Sequence, residues 1–368
     1  MFQIRKRKAL GRKYNDRMST DELTGTESAG AEPEEQEADA AAGLTDDDLL
    51  EMYRVMVLSR TLDERIWLLN RQGKAAIVAS AQGPEAAQIG AVRATDPARD
   101  HYLIYYRELC TILALGVTPT EILLGFLARE GEPMSSARQF PLHGAMDRVD
   151  IVSFSNVVAT HMPQAVGFAL ADKIRGNDSV TIVYFGDGAA SMGDAHEAMN
   201  FAGVHQLPIV FFCENNGYAI SVPLRKQMAV ESVASRAEGY GFPGVQVDGM
   251  DPIAVYEVMI VAMEKARSGG GPTLVEAMVE RLYPHTSDDD HTRYRSQEEI
   301  ESMRDPMETT ERMLVERGTL GEARREQIWE AARRQVDEAT EVAEAAPLPQ
   351  PTGKHDIFRN LYASDGEA

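Results

Sequence analysis

Between residues 180 and 278 the chain alternates between two kinds of apolar patterning. Short, nearly continuous apolar runs, Val180 to Phe185, Ile209 to Cys213, Val245 to Val247 and Thr273 to Met278, are separated by amphipathic stretches around 194–205, 229–239 and 252–267. Strand and helix patterns in alternation, joined by short connections, predict a mostly parallel sheet covered by helices on both faces, a doubly wound α/β fold. Upstream, Thr45 followed by Asp46, Asp47 and Asp48 reads as a capping residue with first-turn acids, ahead of Leu49, Tyr53, Met56 and Val57. A helix from there to about Asn70 follows. After about Tyr294 the chain is highly charged with helical spacing, over Glu308 to Arg317 and Leu320 to Ala339. The α/β domain is thus placed at 45–345, with helical extensions at both ends.

Outside those limits the patterning fades. Residues 1–44 contain an acidic stretch, Ser19 to Gly43, with almost no large apolar side chains, which cannot offset its ordering entropy and is expected to be a disordered lead-in. Residues 346–368 open on Pro347-Leu348-Pro349-Gln350-Pro351, a linker, and carry Ile357, Phe358, Leu361 and Tyr362 beyond it. An apolar tail after a linker is expected to dock on a partner.

Composition narrows the classes. The chain has 368 residues, 43% hydrophobic and 26% charged, and no apolar run near the roughly 18 residues of a membrane span, so neither a small stapled fold nor an integral membrane protein fits. Its formal charge of −21 repels polyanions, which argues against nucleic acid and anionic lipid as partners. Cys110 and Cys213 both lie in apolar stretches and suit a reducing compartment. The basic first residues are followed by no apolar core or cleavage site, so the cytoplasm is the expected location.

The densest chemistry lies where the apolar runs end. Val180 to Phe185 leads into Gly186-Asp187-Gly188-Ala189, and the next strand ends in Glu214-Asn215-Asn216-Gly217-Tyr218. In a parallel strand–helix–strand unit both loops lie at the carboxyl ends of their strands, where doubly wound folds bind ligands. Asp187 and Asn216 can therefore meet, as hard oxygen donors suited to Mg²⁺ with phosphate completing its shell. The glycines beside Asp187 admit a diphosphate close to the backbone. A nicotinamide dinucleotide site is the competing reading, but Ser191 stands where its third glycine is wanted, and Asp187 would face the pyrophosphate with no metal between them.

The span from Gly186-Asp187-Gly188 to Asn215-Asn216 resembles the thiamine diphosphate motif. Together with Ala159-Thr160-His161-Met162-Pro163-Gln164-Ala165, Gly193-Asp194-Ala195-His196, Val247-Asp248-Gly249-Met250-Asp251 and Tyr294-Arg295-Ser296, it resembles the alpha subunit of the decarboxylating component of 2-oxo acid dehydrogenase complexes, of both branched-chain and pyruvate types, from about Leu49 to the tail.

That resemblance implies thiamine diphosphate and Mg²⁺ as cofactors, with Asp187, Asn216 and the Tyr218 carbonyl on the metal and Gly188 and Ala189 against the diphosphate. It implies that Tyr106-Arg107 forms the pair whose guanidinium binds diphosphate oxygens. Ser155, Asn156 and Val158 match a loop approaching the aminopyrimidine, and Asn156 departs from the serine of the animal branched-chain enzymes. His285 matches an active-site histidine near the diphosphate and the incoming lipoyl group, and its polar loop predicts an exposed, positionable imidazole. His101, His143, His196, His205 and His291 are read as structural, and His161, placed where it could touch the cofactor loop, is read as a core or surface residue. The glutamate that protonates the aminopyrimidine lies on a separate beta chain in this family. A beta subunit in an α2β2 heterotetramer, a lipoyl-bearing acyltransferase and a 2-oxo acid substrate are thereby implied as partners. Pyruvate, branched-chain 2-oxo acids and acetoin stay open as substrates; an NAD-binding dehydrogenase and a non-catalytic scaffold subunit are the readings from other classes.

Overall fold

A computed structural model of the chain describes residues 43–152 and 155–350. The lead-in up to residue 42 and the apolar tail beyond residue 350 lie outside the described residues. The first helix, α1 (Asp46–Arg71), starts at a complete capping box: the Thr45 hydroxyl accepts from the Asp48 amide and the Asp48 carboxylate accepts from the Thr45 amide. It leads through an extended segment into α2 (Glu85–Arg93).

Six strands form one parallel sheet: β1 (His101–Leu103), β2 (Ile151–Val152), β3 (Thr181–Gly186), β4 (Ile209–Asn215), β7 (Gly244–Asp248) and β8 (Thr273–Met278), in the order β2-β1-β3-β4-β8-β7. A two-residue hairpin, β5 (Tyr218–Ala219) and β6 (Val222–Pro223), projects after β4. Side chains of β3 alternate between two cores: Ile182 and Tyr184 pack with α1, α2 and α7 (Pro252–Arg267), while Val183 and Phe185 pack with α5 (His161–Arg175) and α6 (Gly193–His205). Apolar side chains on both faces explain the continuous apolar runs. The chain leaves β1 through α3 (Leu109–Ala114) and α4 (Pro119–Phe126), whose buried side chains belong to the first core. It leaves β3 through α6, on the second. The two connections run to opposite sides, so a crevice opens beyond the carboxyl ends of β1 and β3.

The C-terminal helices, α8 (Gln297–Glu301), α9 (Pro306–Glu316) and α10 (Glu322–Ala345), lie beyond the sheet segments, and α9 and α10 bury an apolar stripe in the first core. Past α10 the start of the proline stretch is tied down, with the Pro347 carbonyl accepting from the Glu130 amide at 2.9 Å and the Ala346 carbonyl from Arg129 at 3.1 Å. The helix expected over 229–239 is a correction. Only Ala234–Tyr240 is helical, with 3-10 geometry, because the Val233 and Ala234 amides donate to the buried Glu276 carboxylate at 3.0 and 2.9 Å instead of to a preceding turn. No described helix is long and apolar enough to cross a membrane.

Candidate active site

Beyond the carboxyl ends of β1, β3 and β4 lies a cavity of about 410 Å³. Its lining includes all eleven residues singled out from the sequence: Tyr106, Arg107, Ser155, Asn156, Val158, Asp187, Gly188, Ala189, Asn216, Tyr218 and His285. Local geometry explains how. Asp187 follows the last residue of β3 and is 1% exposed; Gln227 donates to its Oδ2 at 3.0 Å, while its Oδ1 has no hydrogen-bond partner. Burial raises its pKa, opposed by the Gln227 hydrogen bond and by the nearby Asn216 backbone, so the loops after β3 and β4 meet at this carboxyl. Asn216 holds its own turn, its side-chain oxygen accepting from the Tyr218 amide at 3.3 Å. A β-carbon at Gly188 would come within 2.9 Å of the Ala219 β-carbon, so glycine is needed where the hairpin presses on the loop.

The two adjacent asparagines do different work. Asn215 is 1% exposed and turned inward, its amide donating to Glu276 at 2.6 Å and its oxygen accepting from the Gly217 amide at 2.9 Å. Asn216 alone of the two faces the cavity.

The opposite wall is cationic. Arg107, 3% exposed, donates to the Ser80 carbonyl and, at 3.3 Å, to the His285 carbonyl; its Nη2 stands 3.5 Å from His285 Nδ1, and the guanidinium lies 5.3 Å from the Tyr106 ring centroid. Sequence reasoning missed Arg281, just past β8. It is 1% exposed and lines the cavity, donating from Nη2 to the Ile220 carbonyl at 3.0 Å and the Tyr294 hydroxyl at 2.8 Å, while Nε and Nη1 have no partner. Burial, with Arg107 and Arg295 nearby, pushes its pKa down to about 10. Neither Arg107 nor Arg281 forms an ion pair with a described residue.

His285 departs from expectation. It is partly buried rather than exposed, and burial together with Arg107 and Arg281 pushes its pKa down to about 4, so the imidazole is neutral near pH 7. An Nδ1 that accepts from Arg107 leaves the proton on Nε2. The loop is anchored by Asp289, which accepts from the His285 amide at 2.8 Å and the Tyr294 hydroxyl at 2.5 Å.

Two further histidines line the cavity, His143, read as structural, and His161, read as core or surface but able to touch the cofactor loop. His143 stacks on Tyr106, ring centroids 6.4 Å apart and nearly parallel, with Phe140 edge-on at 6.0 Å; His161, buried, meets the Tyr184 carbonyl at 2.8 Å. Beneath the floor, Tyr105 donates to Glu214 at 2.5 Å and Thr111 to Glu108 at 2.5 Å. Burial raises the Glu214 carboxyl to about 7, and burial with the charge of Glu214 raises Glu108 well above the ordinary range. Ala159 (φ 73°) and Ile220 (φ 55°), both lining residues, adopt left-handed backbone that a β-branched residue such as Ile220 rarely takes.

An orphaned, buried carboxylate oxygen and two guanidinium groups without counter-ions around one cavity, at the carboxyl edge of a doubly wound sheet, fit a site that takes a metal ion together with an anion. The chain belongs to the dehydrogenase E1 component family, which it matches over residues 53–352. It is 46% identical over 313 residues to the 2-oxoisovalerate dehydrogenase subunit alpha of Bacillus subtilis (strain 168), covering 84% of this chain and 95% of that protein. It is 38% identical over 327 residues to the pyruvate dehydrogenase E1 component subunit alpha of the same organism, covering 88% and 84%. It is 37% identical over 324 residues to the 3-methyl-2-oxobutanoate dehydrogenase subunit alpha of Mycobacterium tuberculosis (strain ATCC 25618 / H37Rv), covering 87% and 84%. Membership implies dependence on thiamine diphosphate, and the unpartnered Asp187 Oδ1, the cradle at Gly188 and the unpaired arginines fit a metal diphosphate.

Proposed function

We propose that the chain is the alpha subunit of a 2-oxo acid dehydrogenase decarboxylating component, which with a beta subunit, as an α2β2 heterotetramer, decarboxylates a 2-oxo acid and passes the acyl group to the lipoyl group of an acyltransferase. The higher identity to the 2-oxoisovalerate relative favours branched-chain substrates over pyruvate. The observation that carries the reading is the pairing of the Asp187 orphan oxygen with the counter-ion-free Arg107 and Arg281 around one cavity.

In this reading Asp187, Asn216 and the Tyr218 carbonyl hold Mg²⁺, a set of hard oxygens that leaves positions for phosphate and water. Gly188 and Ala189 approach the diphosphate through their backbone, and Arg107 and Arg281 take its charge by planar, bidentate contact. Thiamine diphosphate, when bound, supplies the nucleophilic carbon and the electron sink for decarboxylation. Ser155, Asn156 and Val158 orient the cofactor's other end. The apolar side chains of Ile77, Phe126 and Phe140 at the cavity wall exclude water from it. His285, neutral with its proton on Nε2, offers that N–H as a hydrogen-bond donor that orients the acyl group as it passes to the lipoyl acceptor.

The test is to co-express the chain with its beta subunit and assay decarboxylation and lipoyl acylation against a panel of 2-oxo acids and acetoin. The proposal expects turnover with branched-chain acids, lost in Asp187→Ala, and little from the alpha chain alone. Robust turnover by monodisperse alpha chain would overturn the heterotetramer, and acetoin as the sole substrate would overturn the 2-oxo acid assignment.

A further inference from the structure

The extended segment between α1 and α2 forms no sheet, yet Arg107 and the loop that carries His285 both hang on it. The Ser80 carbonyl receives Arg107, the Val78 carbonyl accepts from the Ser287 amide at 2.7 Å, the Val78 amide donates to the Ser287 hydroxyl at 3.3 Å, and the Gln82 carbonyl accepts from the Leu282 amide at 3.3 Å. Arg107 and the 282–287 loop carrying His285 are thereby clamped to one short run of backbone. Something must hold that run, because strand-like backbone without a ladder has no geometry of its own.

The holder is on α1. Asp63 is 2% exposed, and its carboxylate accepts from the Ser80 hydroxyl at 2.7 Å, the Ala81 amide at 2.8 Å and the Gln82 side-chain amide at 2.9 Å. The Ser80 hydroxyl in turn accepts from the Gln82 amide at 3.2 Å. All three of its donors come from residues 80–82, and among the described residues no cation is bonded to it. A buried carboxylate directed wholly at one backbone segment does little else that an apolar residue could not do more cheaply.

We propose that Asp63, which does not line the cavity, is the positioning residue for the diphosphate-binding wall: it fixes residues 80–82, and through them sets the place of Arg107 and of the His285 loop. This inference rests on the reading of Arg107 and His285 as cofactor-binding groups. It assigns a role at the site to a residue of α1 that touches no cofactor. The consequence separates it from a stability role, since a loosened segment should free the 283–289 loop and weaken cofactor binding while leaving the Asp187 side of the cavity undisturbed.

The experiment uses the full chain co-assembled with its beta subunit, in wild-type, Asp63→Asn and Ser80→Ala forms, the second a milder cut of the same bond. Hydrogen exchange by mass spectrometry, without cofactor, should show peptides covering 78–82 and 283–289 exchanging ~tenfold faster in the variants, with those covering 180–205 unchanged. The concentration of thiamine diphosphate giving half-maximal activity should rise ~tenfold while turnover at saturation stays close to wild type. A folded variant with a lower melting temperature but unchanged exchange at 283–289 and unchanged cofactor dependence would overturn the proposal. Should wild type itself bind no thiamine diphosphate, the reading of the site fails, while the exchange result still decides whether Asp63 holds the loop.

Discussion

The two ends of the parallel sheet use the same side chains in opposite ways. At the amino end three basic groups meet carboxylates: Arg99 lies 2.8 Å from Asp96 and also meets Asp178, Arg267 lies 2.9 Å from Asp100, and His101 sits between Asp150 and Asp172 at 2.5 and 2.8 Å, while Lys265 is satisfied by the Gly271 and Pro272 carbonyls at 3.1 and 2.6 Å. At the carboxyl end Arg107 and Arg281 are more deeply buried and meet carbonyls, a tyrosine hydroxyl and an imidazole, while Asp187 lies across the cavity with an oxygen unsatisfied. Buried charges left unpaired are costly, so a fold retains them where something else completes the pairing. The amino end is finished by the chain itself; in the proposed function the carboxyl end is finished by a ligand.

The contrast can be broken from either side. Removing a cation from the finished end should be the more damaging to the apo protein: Arg267→Met leaves the fully buried Asp100 with only the Val180 and Asp96 amides for its charge and should cost about 3 kcal/mol in denaturant unfolding. At the open end the same change should go the other way. Arg281→Met removes a buried guanidinium with two unpartnered nitrogens and should leave apo stability equal or higher, by up to about 1 kcal/mol, while thiamine diphosphate affinity measured by calorimetry falls at least about tenfold. Loss of stability in both variants alike would erase the distinction.

A pH experiment sharpens it further. The folded-state pKa of His285 is depressed to about 4 from an ordinary value near 6.5, so between those limits the unfolded chain binds the proton more tightly. The stability conferred by the neutral imidazole is complete above about pH 6.5 and is lost as pH falls toward 4. His285→Asn should flatten the unfolding free energy over that window, and an unchanged slope would show that the imidazole is not held neutral. The smallest effect expected is at Ala137, whose φ of 57° lies in the left-handed region in the loop before His143; Ala137→Gly should raise stability by less than about 1 kcal/mol, read from the denaturation midpoint.

How much of this was legible in the sequence varies with the reach of the physics involved. Helix α7 and strand β8 fall where the patterning put them, because Asp251 caps the helix with Pro252 in its first turn and the strand is buried on both faces. The strands β1 and β2, three and two residues long, are too short to show a period, and they form only because neighbours supply the ladder. The site divides the same way. Asp187 and Asn216 sit in local signals, a glycine pair and an asparagine pair at strand ends. Arg281, His143 and Asp63 carry no such signal: the first is one charge in Glu280-Arg281 past a strand, and the last earns its role through residues 17 to 19 positions away. The one cue available for Arg281 was its position at the carboxyl end of a strand in a fold whose ligands bind there.

The central claim is that a divalent metal joins the Asp187 carboxylate to a diphosphate. The most direct measurement is a calorimetric titration of thiamine diphosphate into the co-assembled alpha and beta chains, with Mg²⁺ and then with the metal chelated, for wild type and Asp187→Ala. Tight binding that needs Mg²⁺ in wild type and is absent under both conditions in the variant is the predicted result. Equal affinity with and without the metal, or undiminished affinity in Asp187→Ala, would contradict it.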